Sequence, residues 1–315
     1  MGELLAVSAL IMFSVNIILV KIASTRLDHH WGFLISVSVN LLFAALLFGG
    51  QWLIRDLPFT WNNGGFFLFL LSGFFSTYLG RWFYFDAVVK LGPGKASTFQ
   101  VSNPLFTFII AWLFLGEQLT LIHIAAILVT LLGLFLVSYN PDLFRHRHET
   151  AATTAAATAI EGEKATLLVT LFRSGVFLAF FSALSYAIGN VLRGTAIQEW
   201  NEPIMGGMIG AALGVALQFL SNGNIRHFMQ KLRNSDRIAL LLYAISGMLT
   251  ISAQICVIAA MHTIPVSIAN LISMSQPLLV IPLSYFLLKN QEGITRYTIT
   301  GALLVLSGIT TIILT

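Results

Sequence analysis

The chain has 315 residues, of which 57% are hydrophobic and only 10% are charged. Soluble globular proteins carry about 25% charged residues, so this composition excludes an ordinary water-soluble protein. The single cysteine excludes an intrachain disulfide. The 17 basic residues give a net charge of +4, but they are spread thinly between apolar segments and form no patch for nucleic acid.

Apolar runs of about 20 residues, the length at which a helix crosses the hydrocarbon core of a bilayer, recur along the chain. Ten such runs are present, at residues 4–22, 31–52, 65–90, 93–116, 119–139, 171–195, 203–221, 236–261, 264–289 and 293–314. The sequence therefore predicts an all-α, polytopic protein with ten transmembrane helices, located in the inner or plasma membrane.

A polar segment at residues 140–170 separates the fifth run from the sixth. It contains a stretch of ten residues that are all Thr or Ala, which is typical of a solvated linker. His146 and His148 are interpreted as loop histidines rather than a metal site, because two ligands do not complete one. The linker divides the chain into two predicted five-helix units, residues 1–139 and 171–315.

The two halves show a weak internal repeat. Asn16 and Asn190 are 174 residues apart, and the Ser-Gly pairs that begin at Ser72 and Ser246 have the same offset. Because five is an odd number, the second copy of a five-helix unit must lie upside down relative to the first. Inverted repeats of this kind build secondary transporters, whose substrate binds near the bilayer midplane.

The basic residues are distributed unequally between the two sides of the predicted bundle. Fourteen of the 17 fall on the side of the loops that follow the odd-numbered runs, whereas Arg55 and Arg193 fall on the other side. The positive-inside rule then predicts that both termini lie outside the cytoplasm. The remaining basic residue, Arg81, lies inside the third run.

The passage from the fourth to the fifth run carries Gly-Pro at 92–93, Asn-Pro-Leu at 103–105 and Leu-Gly-Glu-Gln-Leu-Thr at 115–120. It resembles the EamA domain of the drug/metabolite transporter superfamily, and the resemblance covers the whole chain, more loosely in the second half. The resemblance implies a metabolite carrier that works by alternating access and needs no cofactor. The resemblance also implies that both termini lie in the cytoplasm, whereas the distribution of basic residues predicts the opposite orientation.

The first run departs from one branch of that superfamily. The small multidrug-resistance proteins carry a membrane-embedded glutamate in their first helix, whereas the middle of this run, residues 12–16, reads Met-Phe-Ser-Val-Asn. The missing carboxylate argues against the exchange of protons for cationic drugs by that mechanism.

Arg81 is the first candidate for a substrate contact, because a charge in the bilayer core marks function by default. It lies nine residues, or about 13 Å, from the helix end at Lys90. Its guanidinium suits a carboxylate or phosphate, although an internal ion pair or snorkelling would also explain it. Asp86 points about 140° away around the helix, so it suits Lys90 better than Arg81. Asp86 is interpreted as structural, with proton coupling as the alternative.

Amides and aromatic residues inside the runs complete the predicted substrate site. Amides in hydrocarbon need partners, so they either bond across helices or line a polar cavity, and aromatic rings either wall that cavity or face lipid. The candidates are Asn16, Trp82, Tyr84, Gln100, Asn103, Tyr186, Asn190, Gln254, Asn270 and Gln276.

Two prolines and one lysine are candidates for gating. Pro104 and Pro277 lie in the middle of the fourth and ninth runs, where each frees a backbone carbonyl, of Gln100 and Ser273 respectively. The freed carbonyls either bind the substrate or allow the helix to flex. In the alternative interpretation, each proline only forms a static kink. Lys95 lies at the start of the fourth run, where it either snorkels or borders the cavity mouth.

The seventh run carries a stripe of small residues: Gly206, Gly207, Gly210 and Gly214. Such a stripe predicts close helix packing, either within the chain or in a homodimer.

Motifs of metalloproteases, hydrolases and nucleotide-binding loops are missing from the sequence, so no enzyme and no metal site is predicted. The sequence predicts a secondary transporter that moves a small polar metabolite, an amino acid or another carboxylate, with efflux as the expected direction. Two alternatives stay open: a multidrug or cation exporter, and a membrane sensor or scaffold that does not transport.

Overall fold

The fold was analysed in a computed structural model of the chain. It describes residues 1–27, 29–54, 59–91, 100, 102–117, 120–138, 175–222, 232–233, 235–276, 278–280, 282–283 and 296–314. The predicted linker lies outside these residues.

The described residues are almost entirely helical, and no strand occurs among them. The helices are α1 (Gly2–Ser24), α2 (His29–Ile54), α3 (Asn63–Ser72), a π-helix (Gly73–Gly80), α4 (Arg81–Leu91), α5 (Ser102–Leu115), α6 (Leu121–Ser138), α7 (Gly175–Glu199), α8 (Pro203–Asn222), α9 (Arg237–Ala260), α10 (Val266–Met274) and α11 (Arg296–Leu314). Each of the ten predicted runs contains at least one described helical segment, and α3, the π-helix and α4 follow one another without a break within the third run.

Contacts between helix ends define the two faces of the bundle. At the terminal face, Gly2 at the start of α1 lies against Thr263, just after α9. At the other face, called the Arg26 face, the Arg26 guanidinium pairs with Asp236 at 3.0 Å. The Nε2 of Gln198, near the end of α7, donates to the Met261 carbonyl at the terminal face. Helix α7 therefore ends at the face where α1 begins, so the first helices of the two halves run in opposite directions.

Helices of the two halves interleave in the interior. Helix α7 packs against α3, the π-helix, α4 and α5, while α1 packs against α9 and α6 against α11. Small side chains such as Ala183 and Ala187 are completely buried on α7, which allows its neighbours to approach closely. Large apolar side chains such as Phe114 (79% exposed) and Leu220 (79%) lie on the outside, as expected for a surface that faces lipid.

The glycine stripe of the seventh run is used within the chain. A Cβ at Gly206 would meet the Phe69 ring at 2.4 Å, and one at Gly214 would meet Thr77 at 2.6 Å. The Cα of Gly210 lies beside Gly73, at the start of the π-helix. These contacts satisfy the first of the two predicted roles of the stripe. A homodimer stays a prediction, and it would need another surface.

The third run differs from the regular helix that its sequence predicts. The π-helix Gly73–Gly80 widens its middle, and the hydroxyl of Ser76 in this segment donates to the Ser72 carbonyl at 2.7 Å. A continuous apolar pattern does not distinguish an α-helix from a π-helix. Such π segments inside α-helices are frequent at functional sites.

The ninth run is also interrupted. Helix α10 ends at Met274, and Ser275 leaves the helical conformation with ψ 22°. The residue before a proline avoids the helical region and a proline lacks an N–H, so the Pro277 of the sequence disfavours a continuous helix here. The interruption lies two residues before the proline that was predicted to kink this run or to let it flex, and which of these roles it has stays a prediction.

Candidate functional site

Arg193 lies inside the bundle, whereas the charge count placed it on the lightly charged side, near the end of the sixth run. Helix α7 continues to Glu199, so Arg193 is six residues, or about 9 Å, from the helix end. Its Nη2 donates to the Ser76 Oγ of the π-helix at 2.6 Å, and its Nη1 donates to the Asn190 Oδ1 at 3.4 Å. The guanidinium is thus held between α7 and the π-helix.

Arg81 directly follows the same π-helix, because it is the first residue of α4. Its Cζ lies 4.5 Å from the centre of the Phe33 ring, in a cation–π contact. The ring of Tyr186, on α7, lies against the neighbouring Gly80, because a Cβ there would come within 3.2 Å of its Cδ2. Helix α7 thus contacts the π-helix through Arg193 at Ser76 and through Tyr186 at Gly80, the residue before Arg81. The structure therefore brings the predicted Arg81 and Tyr186 together with a second arginine.

Among the described residues, neither arginine has an acidic partner. The ion pairs of the described residues join the N-terminus to Glu3 and Arg26 to Asp236. Asp86, half-buried on α4, takes part in neither of them. Its predicted pairing with Lys90 stays a prediction, because that lysine side chain lies outside what the structure describes. Two positive charges thus stand in the bundle without a described counter-ion.

A chain of buried amides leads from Arg193 through three helices. The Asn190 Nδ2 donates to the Asn270 Oδ1 at 2.8 Å. The Asn270 Nδ2 in turn donates to the Asn103 Oδ1 at 3.0 Å and to the Thr107 Oγ1 at 2.9 Å. Both hydrogens of the Asn270 amide are used in this way. The predicted candidates Asn103, Asn190 and Asn270 therefore satisfy one another, and they position Arg193 through Asn190.

Gln100 joins a second chain of hydrogen bonds. Its Nε2 donates to the Ser182 Oγ at 2.7 Å, and that hydroxyl donates to the Gly80 carbonyl at 2.7 Å. The bonds connect the fourth run to α7 and to the last residue of the π-helix. Gln100 thus lies next to Arg81 in the fold.

The remaining predicted residues lie apart from the two arginines. Asn16 accepts a hydrogen bond from the Ser246 hydroxyl on α9, and Gln254 is half-buried on the same helix. Trp82 is 53% exposed, with its ring 5.7 Å from that of Tyr78. Tyr84 packs against the small cluster that includes Leu178. No described hydrogen bond or ring contact joins these four side chains to the arginines.

The proline and lysine candidates are described only in part. Pro104 is buried in the first turn of α5. The carbonyl of Ser273, which was predicted to be free, accepts a hydrogen bond from the Gln276 Nε2 at 3.2 Å. The Gln276 side chain therefore supplies the hydrogen bond that this carbonyl was expected to lack, and it does so within its own segment. Lys95 and Pro277 lie outside the described residues.

Glu117 is a functional residue that the sequence reasoning missed. Gly116 has φ 64°, a left-handed conformation that ends α5. This turn aims the Glu117 carboxylate at the start of α10, where it accepts the N–H of Val266 and both the N–H and the hydroxyl of Ser267. A carboxylate is stabilising at a helix N-terminus. The Gly-Glu pair thus connects the first half of the chain to the second.

Other missed residues had a visible signal. Arg193 lies three residues after Asn190, and Thr107 lies four residues after Asn103. Either spacing places the two side chains on one face of a helix. Ser76 had no such signal, because its contact with Arg193 joins two helices that are distant in sequence.

The arrangement of helices defines the class of protein. Six helices are long and apolar enough to cross a membrane, and four shorter apolar helices accompany them in the described part of the chain. Polar groups are gathered inside, while large apolar side chains cover the outside. These are the properties of a multi-pass membrane protein.

The chain belongs to the EamA-like transporter family, which matches residues 1–139 and 173–314. The family is one of membrane transporters of the drug/metabolite type. A solved crystal structure, described only as that of a protein, has a TM-score of 0.67 to this chain at 14% identity, over 98% of this chain and 97% of the other. At this identity the likeness shows the fold alone. A comparison with curated proteins gave no match.

Proposed function

We propose that this protein is a secondary transporter that moves a small polar metabolite with an anionic group, an amino acid or another carboxylate, by alternating access. In this proposal the ten helical segments cross the inner or plasma membrane as two inverted repeats, with efflux as the direction. The observation that carries it is the placement of Arg81 and Arg193 inside the bundle without a described acidic partner.

Both arginines lie on helices inside the bundle, where a charge is costly. A charged side chain at the centre of a transmembrane helix costs about 2.5–3.5 kcal/mol on insertion scales. Such residues face the bundle interior and pair with other groups. Since the described ion pairs include neither arginine, an anionic ligand is the group that would neutralise them.

The hydrogen bonds around Arg193 favour a role in ligand binding over a role in helix packing alone. A guanidinium offers five N–H donors in a rigid fork, and Arg193 uses two groups of that fork on Ser76 and Asn190. The remaining donors are available to a ligand. The amide chain through Asn270 fixes the orientation of Asn190, so the fork is held in place before the ligand arrives. Preorganised donors lose less conformational entropy on binding.

The alternatives are weaker on the same grounds. A cation exporter would have to bring a positive substrate against two guanidinium groups, and the first run lacks the carboxylate of the small multidrug-resistance branch. A sensor or scaffold has no need for two interior charges that lack a described acidic partner.

The experiment is ligand-induced thermal stabilisation of the purified protein, followed by uptake of the stabilising ligands into proteoliposomes. A ligand that binds the folded state at 100 times its Kd stabilises it by about 2.7 kcal/mol. We expect organic anions to stabilise the protein, and Arg193→Gln to lose this effect while remaining folded.

The matched control is Arg296→Gln, which removes the same charge at the exposed first residue of α11. It should leave both stabilisation and uptake unchanged. Stabilisation by lipophilic cations alone would instead support the alternative of a multidrug or cation exporter. A wild-type protein that accumulates none of the tested anions would remove the proposed function.

A further inference from the structure

We infer that the transported molecule carries two negative charges, as a dicarboxylate or a phosphate monoester does. The inference rests on the proposed function and narrows its substrate class. It depends on the pairing of Arg81 with Arg193, not on either arginine alone.

The first step is the position of the two guanidinium groups. Arg193 reaches Ser76 in the middle of the π-helix, and Arg81 directly follows that helix. Tyr186, on the same helix as Arg193, lies against Gly80, which directly precedes Arg81. Arg81 follows Ser76 by five residues, about one turn of a π-helix, so the two arginines reach the same stretch of this segment. One ligand bound at this stretch would lie near both charges.

The second step is the charge balance. Glu117, the acidic residue tied to the neighbouring helices α5 and α10, is engaged by Val266 and Ser267 at the terminal face. Asp86 lies about 140° around the helix from Arg81 and forms none of the described ion pairs. A zwitterionic amino acid would leave the two arginine charges without net compensation, a monoanion would neutralise one, and a dianion would neutralise both.

The third step is the supply of hydrogen bonds. The described contact of Arg81 is the Phe33 ring, and none of the described hydrogen bonds uses its five donors. In this inference those donors bind the ligand, together with the donors that Arg193 does not use on Ser76 and Asn190. Guanidinium forks bind carboxylate and phosphate oxygens in pairs, so each arginine matches one anionic group or two oxygens of a phosphate.

The test measures the affinity of the purified wild-type protein for four probes by isothermal titration at pH 7.5. The probes are succinate, glycerol 3-phosphate, lactate and alanine. We expect at least one of the two dianions to bind about tenfold or more tightly than lactate, and alanine to bind most weakly. At pH 7.5 a phosphate monoester carries about 1.5 to 2 negative charges, so glycerol 3-phosphate is presented mainly as a dianion. Tight binding of glycerol 3-phosphate without tight binding of succinate identifies phosphate as the group recognised, and the converse identifies a pair of carboxylates.

The variant Arg81→Gln distinguishes binding that needs both arginines from binding that needs Arg193 alone. It should weaken the preferred dianion about tenfold and leave lactate within about threefold, so that the preference for two charges disappears. Arg81→Lys, which keeps the charge, should retain most of that preference. The exposed Arg296→Gln serves again as the matched control.

Each outcome decides the inference. Equal affinity of the wild type for lactate and both dianions overturns it, and so does an Arg81→Gln variant that weakens all anions by the same factor. If Arg81→Gln does not fold, the order of affinities in the wild type still decides. Binding and transport of lactate or alanine without a preference for dianions would overturn this inference and leave the proposed function standing. Failure of every anion to bind would remove both.

Discussion

The carboxylate of Glu117 accepts the hydroxyl hydrogen of Ser267, 150 residues further along the chain. It also accepts the backbone N–H of Val266, so it caps the first turn of α10. The Gly-Glu pair, which carried the family resemblance in the sequence, thus has a physical role in this fold. It holds α5 of the first half against α10 of the second half at the terminal face.

The first prediction concerns this cap. Glu117→Ala should lower the free energy of unfolding by about 1–2 kcal/mol, because loss of a helix cap leaves N–H groups without an acceptor. Thermal unfolding of the purified protein in detergent measures the change. Ser267→Ala is the matched variant, since it removes one donor and keeps the capping carboxylate. It should cost less, and an equal loss in both variants would contradict the capping role.

The second prediction concerns the amide chain behind Arg193. Asn270→Ala removes the acceptor of Asn190 and the donors to Asn103 and Thr107, so we expect a loss of about 1–3 kcal/mol in stability. Anion affinity should fall as well, because Asn190 no longer has a fixed orientation. Thermal unfolding and isothermal titration measure the two effects.

Gln276→Ala is the control for the amide chain, because the described hydrogen bond of Gln276 goes to the nearby Ser273 carbonyl. We expect this variant to keep the anion affinity of the wild type. An Asn270→Ala protein with unchanged anion affinity would show that the chain only packs the helices and does not position Arg193.

The third prediction concerns the contact between the π-helix and α8. A Cβ on Gly73 would lie 2.9 Å from the backbone Cα of Gly210, whereas a Cβ on Gly210 would lie 3.8 Å from Gly73. Gly73→Ala should therefore destabilise the protein by about 1–3 kcal/mol through overpacking, and Gly210→Ala should be tolerated.

Gly49→Ala provides the control for the added methyl group, because open space surrounds that position on α2. Unfolding temperatures of the three variants should rank Gly73→Ala lowest. If Gly73→Ala is as stable as Gly49→Ala, the two backbones are not in close contact.

The fourth prediction concerns pH. The hydrogen bond from Arg26, followed by the hydrogen bond from the Ile238 N–H, lowers the pKa of the Asp236 carboxyl below its ordinary value of 3.8. Since this pKa is lower in the folded state, the carboxylate stabilises the fold above about pH 4, near the pKa of the unfolded chain. The contribution is lost as the pH falls through the folded-state pKa.

Asp236→Asn tests this sign directly. Its unfolding temperature should be lower than that of the wild type at pH 7, and the difference should shrink as the pH is lowered from about 5 to 3. Arg296→Gln, which also changes one exposed charge at a helix start, should show no such convergence. A difference that stays constant with pH would mean that the Asp236 charge does not contribute.

The sequence predicted the candidate site only in part. Arg81 was found because a charge inside an apolar run is conspicuous. Arg193 was missed because the predicted helix ended at residue 195, two positions later, where polar residues begin. In the structure α7 continues to Glu199, since Gln198 bonds to the Met261 carbonyl at the end of α9. A contact between distant helices therefore accompanies the extension of α7, which sets how far Arg193 lies from the end of its helix.

The sequence by itself determined that this is a helical membrane protein in two related halves, because the length and hydrophobicity of each run must match the bilayer. It also determined the family, through residues near one another in the chain such as Gly116 and Glu117. Only the tertiary structure decided that Arg193 contacts the segment that Arg81 follows, that the third run widens at Gly73–Gly80, and that three asparagines satisfy one another. These features depend on the packing of helices that are far apart in sequence, which local hydrophobicity does not encode.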